Sequence, residues 1–224
     1  MGFPSVVRAF VATELVVVTL GLSACVSTAV TANDRDPDAL RVAFYGDSYT
    51  RGSGATVQGL RWSTLLSEER GWSEFNPSVS GLGFARNREI VGDGDLPSLI
   101  IADDPDVVIV TLGLNDNFTY ESQAEEIRTN ILSDFTRLST GLPDARLIVV
   151  EPFWFKEERP ASVDIIISWV RESANAVGAE YIPGASYWLP GHPEWMASDD
   201  LHPNDEGHAV IASQMDRALR ALRL

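Results

Sequence analysis

Five short apolar segments recur along the chain, and each is followed by a stretch with helical periodicity. The first, at residues 41–45, is an arginine followed by four apolar side chains, and the longest is the apolar run at residues 107–112. Runs of this length, bounded by glycine and polar residues, are typical of strands buried in a parallel sheet. The pattern predicts strands at residues 41–45, 74–76, 107–112, 147–150 and 180–182.

Apolar residues between these segments recur at intervals of three and four positions, which places them on one face of a helix. Ile127, Ile131, Phe135 and Leu138 form one such stripe. The predicted helices occupy residues 58–70, 96–102, 121–139, 162–177 and 205–222. Because strands and helices alternate along the chain, the predicted fold class is α/β, with a parallel sheet that is covered by helices on both faces.

Glycine-containing polar motifs follow three of the predicted strands. Gly46-Asp47-Ser48 comes directly after the first strand, and Gly113-Leu114-Asn115-Asp116 comes after the third. Gly81 lies in the loop after the second strand. The ligand crevice of an open parallel sheet lies outside the carboxyl ends of its strands. We therefore expect these three motifs to share one rim of the sheet.

The last fifty residues supply the groups that would activate a serine. Ser48, His202 and Asp199 provide an alcohol, an imidazole to take its proton, and a carboxylate to orient the imidazole. The backbone N–H groups of Ser48 and Gly81 and the side-chain amide of Asn115 are suited to hold the negative oxygen of a tetrahedral intermediate. This combination predicts an acyl-transfer enzyme.

The blocks that carry this chemistry resemble, in order and spacing, those of the SGNH (GDSL-type) hydrolases over residues 40–210. They are Gly46-Asp47-Ser48, Gly81, Gly113-Leu114-Asn115-Asp116 and Asp199-Asp200-Leu201-His202. The resemblance implies Ser48 as the nucleophile, His202 and Asp199 as base and orienting carboxylate, and Gly81 and Asn115 as oxyanion donors with Ser48. It also implies a serine esterase acting on lipid-like, aryl, short-chain or acetylated glycan esters.

Two features refine this resemblance. Ser48 is outside any Gly-x-Ser-x-Gly elbow, and only two residues separate Asp199 from His202, which differs from the α/β-hydrolases. The resemblance therefore implies the flavodoxin-like three-layer α/β/α sandwich of the SGNH fold. Tyr49 stands where the family name has leucine, a variable position that leaves the implied roles unchanged.

Each motif also has an interpretation without catalysis. Gly-Asp-Ser is a common turn, Asn115-Asp116 and Asp199-Asp200 are suited to cap helices, and His202 alone could be a surface imidazole. A non-catalytic binding protein on the same scaffold is expected to lose Ser48 or His202, and both are present. An acyltransferase with the same triad remains an alternative. A two-metal phosphoesterase needs histidines spread along the chain, whereas all three follow residue 190, so we predict neither metal nor cofactor.

Composition narrows the choice of partners. The formal net charge is −15, which opposes binding to nucleic acid and to anionic membranes. A neutral or hydrophobic ester, small-molecule or glycan, is therefore expected as the substrate. Trp154 and Trp188 follow or precede predicted rim segments, and we expect them to contribute aromatic walls for that substrate.

The N-terminal segment has the character of an export signal. Residues 9–22 are mostly apolar, and they end in Leu22-Ser23-Ala24-Cys25, which resembles the lipobox of bacterial lipoproteins. We predict a signal peptide at residues 1–25, a flexible tether at 26–38 and a hydrolase domain at 39–224, with lipidated Cys25 as a membrane anchor in the cell envelope. Ordinary cleavage after Val30-Thr31-Ala32, with secretion, is the alternative, and Glu14 in the apolar run leaves a cytoplasmic protein as a third.

Overall fold

The central sheet has five strands, and every neighbouring pair is parallel. The computed structural model describes residues 1–2, 38–92 and 94–224, and Arg35–Leu224 forms one unit. The strands are β1 (Arg41–Tyr45), β2 (Ser73–Phe75), β3 (Val107–Val110), β4 (Arg146–Val150) and β5 (Glu180–Ile182). Their order across the sheet is β2-β1-β3-β4-β5, which is the flavodoxin-like order. The predicted fold class is therefore confirmed.

Helices cover both faces of this sheet. In the described part of the chain they are α1 (Ser48–Arg51), α2 (Trp62–Arg70), α3 (Leu96–Asp103), α4 (Tyr120–Gly141), α5 (Ala161–Ala176) and α6 (Asp205–Ala221). One core lies between the sheet, α2 and α6, and the other lies against α3, α4 and α5. Phe44 of β1 points into the first core, and Tyr45 points into the second.

One predicted helix start was wrong, and one short helix was missed. The helix predicted from residue 58 begins at Trp62, because Gln58–Leu60 forms a short 3-10 helix and Arg61 is extended. The four-residue helix α1 was not predicted at all. Four residues are too few to show helical periodicity, and this helix depends on the cap that precedes it.

The chain changes direction across the sheet next to β1. It passes from β1 to β2 on one side, and later returns to place β3 on the other side of β1. Tyr45 and Val110 are register partners at the ends of β1 and β3. The loops that follow these two strands therefore start side by side and leave a crevice at the carboxyl edge of the sheet.

The predicted signal peptide, Cys25 and the predicted tether as far as residue 37 lie outside the described residues. Within the described ranges, no helix combines the length and apolar character that crossing a membrane requires.

Candidate active site

Ser48 is the first residue of α1, directly after the turn that leaves β1. The Asp47 carboxylate caps this short helix by accepting the Tyr49 N–H at 3.0 Å. Gly46 has no room for a side chain, because an added Cβ would lie 2.4 Å from the Thr50 hydroxyl oxygen. The Ser48 N–H lies in the first helical turn, where the helix itself offers no acceptor. The local sequence thus places Ser48 at the carboxyl edge of the sheet with an N–H available for a ligand.

The side chains of Ser48, His202 and Asp199 are linked by hydrogen-bond distances. His202 Nε2 lies 3.0 Å from Ser48 Oγ, although the two residues are 154 positions apart. His202 Nδ1 lies 2.7 Å from Asp199 Oδ2. The other Asp199 oxygen accepts the backbone N–H groups of Leu201 and His202, both at 3.0 Å. The fold therefore brings together the three residues that the sequence analysis selected.

The turn distinguishes the two neighbouring aspartates. Asp200 has a φ of 54°, in the left-handed region, and its N–H donates to the Ala197 carbonyl at 3.0 Å. Partial burial raises the pKa of Asp199, but hydrogen bonds from the His202 N–H and ring and from the Leu201 N–H outweigh it and lower the pKa to about 2. An ionised carboxylate only accepts, so Nδ1 of His202 is the donor and Nε2 is left to accept the Ser48 hydroxyl proton.

Gly81 lies in the wall of the cavity that contains Ser48. Its φ of 81° is in the left-handed region, which favours glycine. Its carbonyl accepts the side-chain amide of Asn87 at 2.9 Å, and an added Cβ would stand 3.2 Å from that amide nitrogen. A side chain at this position would be strained and crowded, so both the backbone and the cavity wall need glycine here.

Asn115 follows β3 and is 6% exposed in the same cavity wall. Its side-chain nitrogen donates to the Asp47 carboxylate at 3.1 Å and to the Leu82 carbonyl at 3.0 Å. These bonds fix the amide next to Ser48. Burial raises the pKa of Asp47 to about 7, against the opposing hydrogen bonds from the Tyr49 N–H and from Asn115.

Asp116, directly after Asn115, is fully buried and holds the loop that follows Gly81. Its carboxylate accepts the N–H groups of Phe84 at 2.7 Å, Ala85 at 2.9 Å and Arg86 at 3.3 Å. Burial raises the pKa of Asp116 to about 6, although these bonds oppose the shift. This role of Asp116 was not predicted from the sequence. The available signal was an acidic residue directly after Asn115, at the end of a buried strand.

Tyr49 connects the two halves of the site. It is fully buried, and its hydroxyl donates to the Leu201 carbonyl at 2.5 Å. Its ring centroid lies 6.0 Å from that of His202 and 5.7 Å from that of Phe153, on which it stacks. The side chain that replaces the leucine of the family name therefore links the helix of Ser48 to the residue before His202. This link was not predicted from the sequence, in which Tyr49 stands at a variable position.

The cavity at Ser48 has a volume of about 470 Å³. Its lining residues are Ser48, Ser80, Gly81, Arg86, Asn115, Phe118, Leu201 and His202. Phe118 is 50% exposed and provides the aromatic surface of this cavity. Arg86 and Phe118 were missed by the sequence analysis, although an exposed phenylalanine within the polar run after Asn115 was a usable signal.

The expectation that Trp154 and Trp188 form walls for the substrate was wrong. Trp154 is 3% exposed, its indole N–H donates to the Glu158 carbonyl at 3.1 Å, and its ring packs on Phe155. Trp188 is partly buried against the core, with its ring 5.9 Å from that of Phe153. Neither lines the cavity at Ser48. Trp154 is buried in the core, and Trp188 packs against the core while remaining partly exposed.

The other two histidines are engaged elsewhere. His208 is fully buried, where its Nε2 lies 3.1 Å from the Ser53 carbonyl and burial lowers its pKa. His192 stacks on Trp195 with a centroid distance of 3.6 Å. In the part of the chain that the structure describes, no three His, Cys, Asp or Glu side chains are placed to hold a metal ion.

Two comparisons with known sequences indicate the same family. Residues 44–210 match the GDSL-like Lipase/Acylhydrolase family. The GDSL lipase Rv0518 of Mycobacterium tuberculosis is 27% identical over 186 residues, which cover 78% of this chain and 79% of that relative.

Solved structures of esterases share the fold. The esterase EstA from Pseudoalteromonas sp. superposes with a TM-score of 0.63 at 18% identity, covering 81% of this chain and 97% of EstA. The acetylxylan esterase Axe2 from Geobacillus stearothermophilus superposes with a TM-score of 0.59 at 18% identity, covering 80% and 93%. Because the family match spans most of the chain and contains the loops that meet at Ser48, this protein belongs to the GDSL-like lipase and acylhydrolase family and is a hydrolase of ester bonds.

Proposed function

We propose that the protein is a serine esterase that cleaves carboxylic esters through an acyl-enzyme on Ser48. The observation that carries the proposal is the pair of distances around His202, 3.0 Å to Ser48 Oγ and 2.7 Å to Asp199 Oδ2. A nucleophile within reach of a base, with the base oriented by a third group, is the arrangement that nucleophilic catalysis needs.

In the first half-reaction, Ser48 Oγ forms a bond to the ester carbonyl carbon while His202 Nε2 takes the hydroxyl proton. The imidazolium that results is stabilised by Asp199, whose low pKa keeps it ionised throughout. When the tetrahedral intermediate collapses, the bond to the leaving alcohol breaks and His202 gives its proton to that alcohol. Ser48 then carries the acyl group.

The negative oxygen of the intermediate is held by the N–H groups of Ser48 and Gly81 and the amide nitrogen of Asn115. Asn115 already donates to Asp47 and Leu82, so the oxyanion shares one of its protons. Donors that are fixed before the reaction need no reorganisation when the charge develops, which is the source of their catalytic effect.

In the second half-reaction, a water molecule repeats the sequence at the acyl-enzyme. His202 takes the water proton as the oxygen attacks the acyl carbon, and it returns a proton to Ser48 Oγ when the acid leaves. The open cavity beside His202 supports access of water to this position.

The volume and the lining of the cavity support a small ester, or a small ester group of a larger molecule, as the substrate. A volume of about 470 Å³ is within the range of sites for small ligands, and exposed Phe118 offers an apolar contact for an acyl chain, an aryl group or a sugar face. The names of the similar proteins, a lipase, an esterase and an acetylxylan esterase, cover the same classes. We therefore propose lipid-like, aryl or short-chain esters, or acetylated glycans.

A fluorophosphonate probe tests the nucleophile. Phosphonylation should add one probe mass to the peptide that contains Ser48, and should abolish hydrolysis of 4-nitrophenyl acetate and butyrate in parallel. The Ser48→Ala variant should be unlabelled and should lose about 10⁴- to 10⁶-fold in kcat, whereas Ser122→Ala, an exposed serine of α4, should behave as wild type. Label on another residue, or retained activity above a hundredth of wild type in Ser48→Ala, would contradict the proposal.

We infer from the sequence that the enzyme works in the cell envelope, with residues 1–25 as a signal peptide and Cys25 as the lipidated anchor. Mass spectrometry of protein isolated from its own host tests this. A diacylglyceryl mass on an N-terminal Cys25, and release of Cys25→Ser from membranes, would support the inference. A mature N-terminus at Asn33 would indicate secretion instead, and an intact Met1 would place the enzyme in the cytoplasm.

A further inference from the structure

The cavity at Ser48 has a charge balance opposite to that of the whole protein. The chain has 32 acidic and 17 basic side chains, yet among the described residues no aspartate or glutamate lines this cavity. Arg86 is the one permanently charged side chain among the described lining residues. A fixed positive charge therefore stands next to the proposed nucleophile.

Among the described residues, no carboxylate lies within ion-pair distance of the Arg86 guanidinium. The arginines at positions 41, 61, 70, 88, 137, 146, 159 and 220 are ion-paired, and those at 51, 128, 171, 217 and 223 share the lack of a pair with Arg86, but Arg86 alone of the unpaired group lines the cavity at Ser48. The nearby Asp116 carboxylate is occupied by backbone N–H groups, including that of Arg86. The described side-chain contacts of Arg86 are Asn115 Oδ1, 3.4 Å from Nη1, and the ring of Phe118, 5.4 Å from the guanidinium carbon.

These two contacts fix where the charge stands. Arg86 approaches the oxygen of the Asn115 amide, while the nitrogen of that amide is a proposed oxyanion donor. The guanidinium is therefore only one amide group away from the reacting carbonyl. At the rim, exposed Arg51 lies 3.4 Å from the hydroxyl of Ser80, another lining residue, and adds positive charge on the same cavity.

We propose that Arg86 binds a carboxylate carried by the substrate, a few atoms from the scissile ester. The substrate class is then an ester with one free carboxylate, on its acyl or its alcohol part. This inference rests on the proposed function. A guanidinium matches a carboxylate through two parallel N–H···O bonds, and Phe118 stacks beside it to contact the apolar part of the same molecule.

The overall negative charge does not oppose this assignment. Exposed charges are screened over about 8 Å at physiological ionic strength, so distant surface carboxylates contribute little to the potential at Arg86. The nearby carboxylates are engaged by other groups, Asp199 by His202, Asp47 by Asn115 and Asp116 by backbone N–H groups. Net charge argues against polyanions that cover a broad surface. It leaves room for a single carboxylate that reaches Arg86.

Matched esters that differ only in charge test the proposal. On the acyl side the pair is 4-nitrophenyl hydrogen glutarate and 4-nitrophenyl valerate, and on the alcohol side it is 3-acetoxybenzoate and its methyl ester. The variants are Arg86→Gln and, as a control for the lost charge, Arg217→Gln on the exposed face of α6.

Arg86→Gln should lower kcat/KM for the anionic member of at least one pair by about 10- to 100-fold, mainly through KM. The neutral member should lose less, so that the ratio of kcat/KM for the anionic to the neutral member falls, and Arg217→Gln should leave that ratio unchanged. Added NaCl should raise KM for the anionic ester in the wild-type enzyme and leave Arg86→Gln unaffected.

Three results would overturn the inference. An equal loss of kcat on neutral and anionic esters in Arg86→Gln would assign Arg86 to support of the oxyanion. Equal effects of Arg86→Gln and Arg217→Gln would show that Arg86 acts only through the long-range charge of the protein and not by binding a carboxylate. A wild-type enzyme that hydrolyses none of the four esters would contradict the proposed function itself. In that case the fluorophosphonate probe should also fail to label Ser48, which distinguishes this result from a failure of the carboxylate assignment alone.

Discussion

The two halves of the active site are built in different ways. The half that carries Ser48 and Asn115 is buried, and the carboxylates that support it, Asp47 and Asp116, are 1% and 0% exposed. The half that carries His202, the proposed base, is open: the side chain of His202 is 20% exposed and that of Asp199 is 50% exposed. One site therefore combines a buried polar scaffold with a solvated loop.

The pKa values of Asp47 in the buried half and Asp199 in the open half are shifted in opposite directions, as the difference in burial predicts. Burial raises the pKa of Asp47 to about 7, whereas the hydrogen bonds of the loop lower the pKa of Asp199 to about 2. In the buried half, the Asp47 carboxylate fixes the Tyr49 N–H and the Asn115 amide, but burial makes the ionisation of this carboxyl group less favourable. The open half keeps a full negative charge beside His202, because solvent and hydrogen bonds stabilise it. The Tyr49 hydroxyl joins the two halves.

The largest effect in the open half is expected at Asp199. Asp199→Asn should lower kcat by about 10³- to 10⁴-fold, because the amide neither fixes the His202 tautomer nor stabilises the imidazolium. Asp200→Asn, the matched control on the same turn, should retain near wild-type kcat. Steady-state hydrolysis of 4-nitrophenyl butyrate measures both, and the reverse ranking would show that the proposed partner of His202 is wrong.

In the buried half, Asn115→Ala should lower kcat by about 10²- to 10³-fold with little change in KM, because the lost donor acts on a charge that exists only in the transition state. Asn117→Ala serves as the control, since its side-chain oxygen accepts the Ser162 hydroxyl and it does not line the cavity. If KM rises for Asn115→Ala while kcat is retained, Asn115 binds the ground state instead.

A smaller effect is expected where the halves meet. Tyr49→Phe keeps the buried ring and removes the bond to the Leu201 carbonyl, so His202 is less firmly placed. We expect kcat to fall by about 10-fold, and the rate of fluorophosphonate labelling to fall with it. Tyr45→Phe removes a buried hydroxyl that donates to Asp134 at 2.6 Å in the other core. That control should lower Tm but leave the labelling rate unchanged, and equal labelling in both variants would show that Tyr49 only stabilises the fold.

The smallest effect is on stability as a function of pH. A carboxyl whose pKa is raised by folding holds its proton more tightly in the folded state. Its contribution to the free energy of unfolding therefore falls as pH rises from 3.8 to about 7. Thermal melts from pH 4 to 8 should show a smaller decline of Tm for Asp47→Asn than for wild type.

Asp199 contributes in the opposite direction. Its pKa is lowered, so its stabilisation is lost only as pH falls from 3.8 towards 2. Asp199→Asn should therefore melt in parallel with wild type between pH 4 and 8. Parallel melts of Asp47→Asn and wild type over this range would contradict the assigned pKa of Asp47.

Much of this organisation could be predicted from the chain. The strands at β1 and β3 are continuous apolar runs because both of their faces are buried, and α4 shows a regular stripe from Ile127 to Leu138 because only one of its faces is. Ser48 and Asn115 could be placed on one rim because parallel strands end at the same edge of a sheet. His202 could be added only through its chemistry and the family resemblance.

Other parts depended on contacts that no local pattern records. Trp154 and Phe118 both follow strands, yet Trp154 is only 3% exposed, whereas Phe118 is 50% exposed and lines the cavity. Periodicity cannot distinguish them, because each lies in a loop whose direction is set by packing. The bond from Tyr49 to Leu201 spans 152 positions, and nothing in either short segment indicates the other.

The sequence by itself determined the order of the elements, the parallel sheet and the residue types that can perform ester chemistry, because periodicity and strand-end placement are local properties of the chain. The tertiary structure decided which groups meet: Asp199 and not Asp200 with His202, the Asp47 carboxylate with the Asn115 nitrogen, and the Arg86 guanidinium with the Asn115 oxygen. Hydrogen bonds act over about 3 Å, so their partners are known only when distant loops have been placed in space.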